Sequence, residues 1–270
     1  MRSKNIFFSL IFLLSLAVMG CEEIIEVPLD ESNAWVTIEG WVTDEPGPYQ
    51  IQITKTIPIY STNELFPAQT AVVTITDDLG NVDNLVMSSP GIYETTSMQG
   101  SLGRTYTLNV DYEGENYTAT ETLPRVNPID TLVTIFQDET IGFLEKGYYI
   151  IFVAQEAPGR PDYYRFYFTV NDSLYDGISD LFFTDDAFTD GQLALLQFPY
   201  QLELGDTVEV KVQSIPSSAY NYYTTLQDLL FGGGSPFGAP PDNVKGNLNN
   251  GALGYFGAGG VAKKEVIVTP

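Results

Sequence analysis

The sequence has 270 residues, contains no histidine and only one cysteine, and carries a formal net charge of −23 at pH 7. Without histidine the chain cannot build a Ser-His-Asp or Cys-His catalytic centre or an HExxH zinc site, and one cysteine cannot form a disulfide within the chain. The negative charge argues against nucleic acid as a partner, because phosphate backbones repel an acidic surface.

A basic and then apolar segment opens the chain, with Arg2 and Lys4 before an apolar run over residues 6–18. This order is typical of a secretory signal, and the run is too short for a permanent transmembrane helix. The segment Leu16-Ala17-Val18-Met19-Gly20-Cys21 resembles a bacterial lipobox. The resemblance implies a signal peptide over residues 1–20 and lipid on Cys21. The alternative is an ordinary signal peptide followed by an accidental cysteine.

The residues after the cysteine predict where the protein lies. Glu22 and Glu23 resemble the surface-export signal of Bacteroidota lipoproteins, and the acidic residues 21–33 form a short tether. Two or three acyl chains would hold the protein on a membrane almost permanently, since each buried methylene contributes about 0.8 kcal/mol. We therefore expect an outer-membrane lipoprotein that faces the cell surface.

Residues 34–123 show the period-two alternation of half-buried strands. The clearest strand spans 104–112, where Tyr106, Leu108 and Val110 share one face. About seven short strands separated by Gly, Pro and Asp turns predict a β-sandwich. Residues 103–110 resemble a strand of immunoglobulin-like and carboxypeptidase-regulatory-like modules.

Two prolines place a domain boundary at residues 124–130. Residues 131–270 then form a second β-rich domain. Within it, residues 217–231 are the one good helix, which Ser217 or Ser218 can cap and Gly232 can end. The predicted fold class is mainly β, with two sandwich domains, the second carrying this helix and a long Gly- and Pro-rich loop.

The strand predicted at 163–170 has two different faces. Tyr164, Phe166, Phe168 and Val170 form its core face, and the other face carries Tyr163, Arg165, Tyr167 and Thr169. A face of aromatic side chains and an arginine is typical of a contact surface. The alternative is that this face packs under a loop.

Residues 172–191 are acidic and include Asp185 and Asp186. Calcium prefers several oxygen ligands from one loop, but the spacing does not match the EF-hand template. We expect a solvated loop, no metal site and no cofactor.

The last third of the chain carries a family resemblance. The motifs 219–223, 235–237, 240–241, 243–250 and 254–257 are similar to those of a Bacteroidota lipoprotein family that is known only as a domain of unknown function. The lipobox and the strands near 36–42 and 103–110 fit the same family. Genes of this family tend to lie beside genes for TonB-dependent outer-membrane transporters. The resemblance implies an accessory subunit of such a transporter and supplies no catalytic residues.

The segment 217–257 interrupts the β pattern with glycines and aromatic residues, so it is the predicted contact region. The residues expected to contact a partner or ligand are Tyr163, Arg165, Tyr167, Tyr220, Tyr222, Phe237, Asn247, Asn249, Asn250, Tyr255 and Phe256. The ligand class stays open among small molecules, peptides and glycans.

Three short motifs resemble the Asp-Ser/Thr-apolar pattern of Bacteroidota O-glycosylation. They place candidate modification sites at Thr131, Ser173 and Thr207.

These patterns leave three functional hypotheses. The first is a non-enzymatic, ligand-capturing or accessory subunit of a TonB-dependent transporter. The second is a structural or adhesive surface lipoprotein without a transporter. The third is a hydrolase that works with paired carboxylates alone, which is the main catalytic route that the missing histidine leaves open.

Overall fold

The computed structural model describes residues 34–56, 66–142, 144–175, 177–231 and 244–270, which belong to one compact unit, Ala34–Pro270. The predicted signal peptide, Cys21, the tether and Phe237 lie outside the described residues.

The described chain is mainly β. Its strands are β1 (Val36–Thr43), β2 (Gln50–Lys55), β3 (Phe66–Pro67), β4 (Val72–Asp77), β5 (Val82–Asn84), β6 (Val86–Ser89), β7 (Ile92–Glu94), β8 (Thr105–Tyr112), β9 (Glu115–Thr122), β10 (Thr131–Gln137), β11 (Gly147–Gln155), β12 (Tyr163–Val170), β13 (Ser173–Tyr175), β14 (Phe182–Asp185), β15 (Leu193–Gln197), β16 (Thr207–Ile215), β17 (Leu253–Gly259) and β18 (Val261–Ile267). A short 3-10 helix spans Ile178–Asp180, and the helix α1 spans Ser217–Phe231. None of the described helices is long and apolar enough to cross a membrane.

Four sheets form two sandwiches, which confirms the predicted fold class. In the first sandwich, a sheet of order β17-β1-β2-β7-β6, with β3 beside β2, faces a sheet of order β5-β4-β8-β9. In the second, a sheet of order β10-β11-β15 faces a sheet of order β13-β12-β16-β18, with β14 also beside β12. Each sandwich has its own apolar core.

The alternation of strand residues is confirmed in both cores. Leu108 and Val110 of β8 are fully buried in the first core. Phe166 and Phe168 of β12 lie in the second core, where both rings contact Phe198. The opposite face of β12 is only half-buried and points away from that core.

The end of the chain contributes to both sandwiches, which the sequence did not indicate. The glycines and asparagines at 246–257 were expected to form loops, yet β17 pairs in parallel with β1, from Thr37↔Leu253 to Thr43↔Gly259. Phe256 and Ala258 lie in the first core. After Gly260 the chain enters β18, which pairs with β16 in the second sandwich.

The glycines of β17 act through their small size. A methyl group on Gly257 would overlap the ring of Trp41, and one on Gly259 would overlap the carbonyl oxygen of Ser214. The predicted boundary at 124–130 is therefore one of several places where the chain passes between the sandwiches.

We predict that Gly259→Ala lowers the free energy of unfolding by about 2 kcal/mol, because overpacking forces backbone shifts where β17 meets β16. Urea unfolding of the purified protein measures the change. Gly205→Ala is the control, since nothing lies within 4 Å of a methyl group there. That control keeps only the strain of a φ of +94°, a cost of about 1 kcal/mol. Equal losses in the two variants would contradict the packing argument.

Candidate functional site

The outer face of β12 meets α1 and β17 at the junction of the two sandwiches. Seven rings from five elements and the segment before them form a continuous chain there, the junction aromatic cluster. Neighbouring ring centroids are 4.8–5.8 Å apart. Its members in contact order are Tyr163, Tyr220, Phe183, Tyr223, Tyr222, Tyr255 and Trp41.

Local periodicity places these rings together. On α1, Tyr220 and Tyr223 are three residues apart and therefore lie on one face of the helix. On β12, period two puts Tyr163 and Arg165 on the face away from the core. Trp41 projects from β1 over Gly257 of the adjacent strand. The missing side chain of Gly257 leaves room for the indole against the sheet.

Arg165 is the charged group at the centre of the cluster. Its guanidinium carbon lies 4.6 Å from the ring centre of Tyr167 and 4.9 Å from that of Tyr223. Its Nη1 donates a hydrogen bond of 2.7 Å to the hydroxyl of Tyr223. No carboxylate of the described residues forms an ion pair with Arg165. Cation–π contacts thus replace the usual acid partner.

Burial controls ionisation at this site. Burial raises the pKa of Tyr223 above its ordinary value although the positive charge of Arg165 opposes the shift. Burial also raises the pKa of Tyr222 to about 12, and the carboxylate of Glu39 adds to that effect. Burial alone would lower the pKa of Arg165, but the oxygens of Tyr223 and Tyr167 outweigh it. At neutral pH the tyrosines are therefore neutral and Arg165 is charged.

A cleft of about 640 Å³ opens beside this cluster and is called the Arg165 cleft. Tyr222, Tyr223 and Tyr255 are buried and line it together with Trp41, and Gln50, Gln52 and Glu39 line it as exposed polar residues. Its volume lies within the range of ligand pockets, about 300–1,000 Å³, and aromatic walls with a few polar groups are typical of such pockets.

A second cleft of about 880 Å³ lies at another part of the junction and includes Glu121 and Ser218. The hydroxyl of Ser218 donates to Glu121 at 2.9 Å and shares a hydrogen bond of 2.7 Å with the hydroxyl of Tyr255. Burial raises the pKa of Glu121, although the bond from Ser218 opposes the shift. Ser218 was one of two predicted helix caps, but it lies inside α1 and links the helix to both neighbouring strands.

Six of the eleven predicted contact residues meet around the Arg165 cleft. They are Tyr163, Arg165, Tyr167, Tyr220, Tyr222 and Tyr255. The face of β12 that was predicted as either a contact surface or a packing surface does both, because α1 covers part of it and the cleft exposes the rest.

Phe256 is not a contact residue, because its side chain is fully buried in the first core. The three asparagines hold the segment before β17 in place. Asn247 exchanges two hydrogen bonds with the backbone of Phe256. Asn249 and Asn250 bond to the backbone of Thr118 and Asn116, respectively. These bonds use side-chain groups that were expected to serve a partner.

The acidic segment is not the solvated loop that its composition predicted. Asp185 ends β14 and is half-buried, and Asp186 is only 3% exposed. The N–H of Asp186 donates to the carbonyl of Asp162 at 3.1 Å, which turns the chain inward. The prediction failed because strand β14 pairs with β12 over Phe182 to Asp185, a long-range contact without a local signal.

The predicted modification sites differ in accessibility. Thr131 and Ser173 are exposed, whereas Thr207 is half-buried and its N–H bonds to Asn171. A modifying enzyme would reach the first two directly, and glycosylation of all three remains a prediction.

Several cleft residues were not among the predicted contacts, namely Glu39, Trp41, Gln50, Gln52 and Tyr223. One signal for Trp41 was present, since a large aromatic residue alternates with core residues on the outer face of β1. Such a residue needs another surface to cover it, but the sequence does not show that β17 and α1 provide one.

A family model described as "Domain of unknown function (DUF4249)" matches residues 22–265. No curated protein sequence matches the chain. Among solved structures, a segment of two fibronectin type-III domains from chicken tenascin is 14% identical with a TM-score of 0.21, covering 67% of this chain and 91% of that chain. The Yersinia pseudotuberculosis adhesin InvE is 18% identical with a TM-score of 0.20, covering 66% of this chain and 55% of that one. Similarities this weak say nothing about function.

We predict that Tyr223→Phe lowers the free energy of unfolding by about 2 kcal/mol, because Arg165 loses its hydrogen-bond partner in a buried site. Tyr220→Phe on the same helix is the matched control. The hydroxyl of Tyr220 makes only a 3.4 Å contact with Asp185, so its loss should cost less than about 0.5 kcal/mol. Urea unfolding of both variants checks the difference. An equal effect would show that the Arg165 bond contributes no net stability.

Proposed function

The chain belongs to the DUF4249 family of domains of unknown function, and we propose that it captures a ligand as a non-enzymatic subunit of a TonB-dependent outer-membrane transporter. The observation that carries this proposal is the Arg165 cleft, a concave aromatic site with a charged guanidinium that has no ion-pair partner among the described residues. The lipobox at Cys21 supports a place on the membrane, and the gene neighbourhood implied by the family resemblance supports the transporter.

The chemistry of the cleft defines the class of ligand. Trp41 and the tyrosines offer flat apolar surfaces, while Gln50, Gln52 and Arg165 offer hydrogen-bond donors. Such a site fits a polar ligand that has an apolar face and acceptor oxygens. A short glycan and a peptide with a carboxylate both meet that description.

The cleft favours binding over catalysis. Among its lining residues, Glu39 is the only carboxylate, and the chain has no histidine. Glycoside hydrolysis needs two carboxylates about 5–10 Å apart on either side of the bond. A site with one carboxylate, one arginine and a set of neutral tyrosines lacks that pair, so we favour a binding role over the hydrolase hypothesis.

One observation favours the structural or adhesive alternative. The outer face of the β10-β11-β15 sheet is apolar and exposed. Val133, Leu193 and Leu195 on this face are 41%, 52% and 64% exposed. Strand register places Val133 opposite Ile151 and Leu195 opposite Val153, so these side chains form one surface. A surface of this kind is suited to protein contacts.

We predict that the tagged protein, extracted from native membranes in a gentle detergent, copurifies in stoichiometric amount with a TonB-dependent barrel that mass spectrometry identifies. Arg165→Met should keep the barrel and lose the small molecule, peptide or glycan released on denaturation, because a neutral side chain cannot bind acceptor oxygens. Glu115→Gln, an exposed change in β9, is the control. A lone lipoprotein with no barrel would favour the adhesive alternative.

We predict that Cys21→Ala moves the protein from the membrane fraction to the soluble fraction, because lipid on the thiol is the proposed anchor. Fractionation followed by immunoblotting measures the distribution, and intact mass before and after the change reports the lipid. Membrane attachment that persists in Cys21→Ala would contradict the lipobox interpretation.

A further inference from the structure

Three carboxylates are buried together at one end of the second sandwich and form the acidic trio. Glu156 directly follows β11, Asp162 directly precedes β12, and Asp186 directly follows β14. Their side chains are 3%, 6% and 3% exposed. One oxygen from each lies within 4.8 Å of an oxygen of the other two.

Two members of the trio are well supplied with donors. Glu156 accepts hydrogen bonds from Asn127 at 2.6 Å and from the hydroxyl of Tyr164 at 2.9 Å. Asp162 accepts two bonds from Arg125, at 2.8 and 3.1 Å, and pairs with Arg160 at 3.3 Å. These donors hold both carboxylates in fixed positions.

Asp186 is different, because its Oδ2 is buried without a hydrogen-bond partner among the described residues. Burial raises the pKa of Asp186, and the nearby carboxylates of Asp162 and Asp190 add to the shift. Two guanidinium groups face three carboxylates, and neither guanidinium binds Asp186. A buried, unpaired carboxylate oxygen is costly, so its retention points to a ligand.

We propose that Glu156, Asp162 and Asp186 bind a divalent cation, with Ca²⁺ as the preferred ion. Oxygens on opposite sides of a calcium ion are at most about 5 Å apart, because each Ca–O distance is about 2.3–2.6 Å. The oxygens of the trio satisfy this limit. The ion would supply the positive charge that Asp186 lacks.

The ligand set selects the kind of ion. The trio offers only oxygen, which suits hard cations and not the nitrogen- and sulfur-binding metals. Its members come from three separate turns, and donors already fix two of them, so the geometry is irregular. Ca²⁺ tolerates irregular coordination, whereas Mg²⁺ demands a near-ideal octahedron. A cavity of about 110 Å³ beside Glu156 has room for roughly three water molecules as further ligands.

The ion would connect this end of the sandwich to the Arg165 cleft. Asp162 is the residue before Tyr163, whose ring lies 4.8 Å from that of Tyr220 on α1. Asp185, the residue before Asp186, contacts the hydroxyl of Tyr220. Fixing Asp162 and Asp186 on one cation therefore fixes two neighbours of α1. This site stands independently of the proposed transporter role.

Equilibrium dialysis of the purified full chain against Ca²⁺, with metal analysis, tests the proposal. We expect Asp186→Asn to bind one Ca²⁺ fewer per chain than the wild type and to lose the calcium-dependent rise in Tm. Its cation-free Tm should be higher than that of the wild type, because a buried unpaired charge is gone. Asp172→Asn is the matched control, since Asp172 is exposed in the same acidic segment. It should bind Ca²⁺ as the wild type does.

A second readout locates the ion. Tb³⁺ bound at the trio would emit on excitation of Tyr164, whose hydroxyl lies 2.9 Å from both oxygens of Glu156. Tyr164→Phe should reduce this emission, and added Ca²⁺ should abolish it in the wild type. Equal calcium binding by the wild type and Asp186→Asn would overturn the proposal, as would emission that Tyr164→Phe leaves unchanged. A wild type that binds no Ca²⁺ would show that Asp186 holds a proton instead.

Discussion

The direct passage of the chain from β17 through Gly260 into β18 is the constraint on which the rest of the structure depends. β17 is bonded to β1 in one sandwich, and β18 is bonded to β16 in the other. Ser214 secures this passage, because its hydroxyl accepts a bond of 2.9 Å from the N–H of Gly260 and donates one of 3.1 Å to the carbonyl of Pro124. One buried hydroxyl thus holds two of the segments that connect the sandwiches. The N–H of Val261 adds a bond of 2.7 Å to Asp44 in the first sandwich.

That passage is also what creates the Arg165 cleft. With β17 at the edge of the first sandwich and β12 in the second, the outer faces of both sheets meet beneath α1. The aromatic rings fill most of the space between them, and an arginine occupies the part where no acid is available. A protein with a net charge of −23 has excess carboxylates, so a guanidinium surrounded by tyrosines instead of acids is unexpected. The tyrosines bind the cation through their rings and leave its remaining donors for a ligand.

The two inferred binding sites share strand β12. Asp162 of the acidic trio comes directly before the strand, and Tyr163 and Arg165 of the cleft lie at its start. Order in the turns that carry the trio therefore affects how firmly the first residues of β12 are held against α1. Because the trio sits on turns and the cleft sits on strands and a helix, the cleft is the more rigid of the two. The arrangement suits a binding module whose recognition surface is built on regular elements.

Alternation along β8 and β12, and the bounds of α1 at Ser217 and Phe231, follow from the sequence by itself. They depend on contacts within a strand or a helix, for which period two and the 3.6-residue repeat are sufficient signals. The absence of histidine likewise limits the chemistry without any structure. The position of β17, the burial of Phe256 and Asp186, and the meeting of Trp41 with Tyr255 were decided only by the tertiary structure. Gly254 and Gly257 are typical of turns in a sequence, yet here they allow close approach between strands. Residues more than 200 positions apart, such as Trp41 and Tyr255, carry no local pattern that specifies their contact, because the choice of strand partner depends on the packing of the whole sheet.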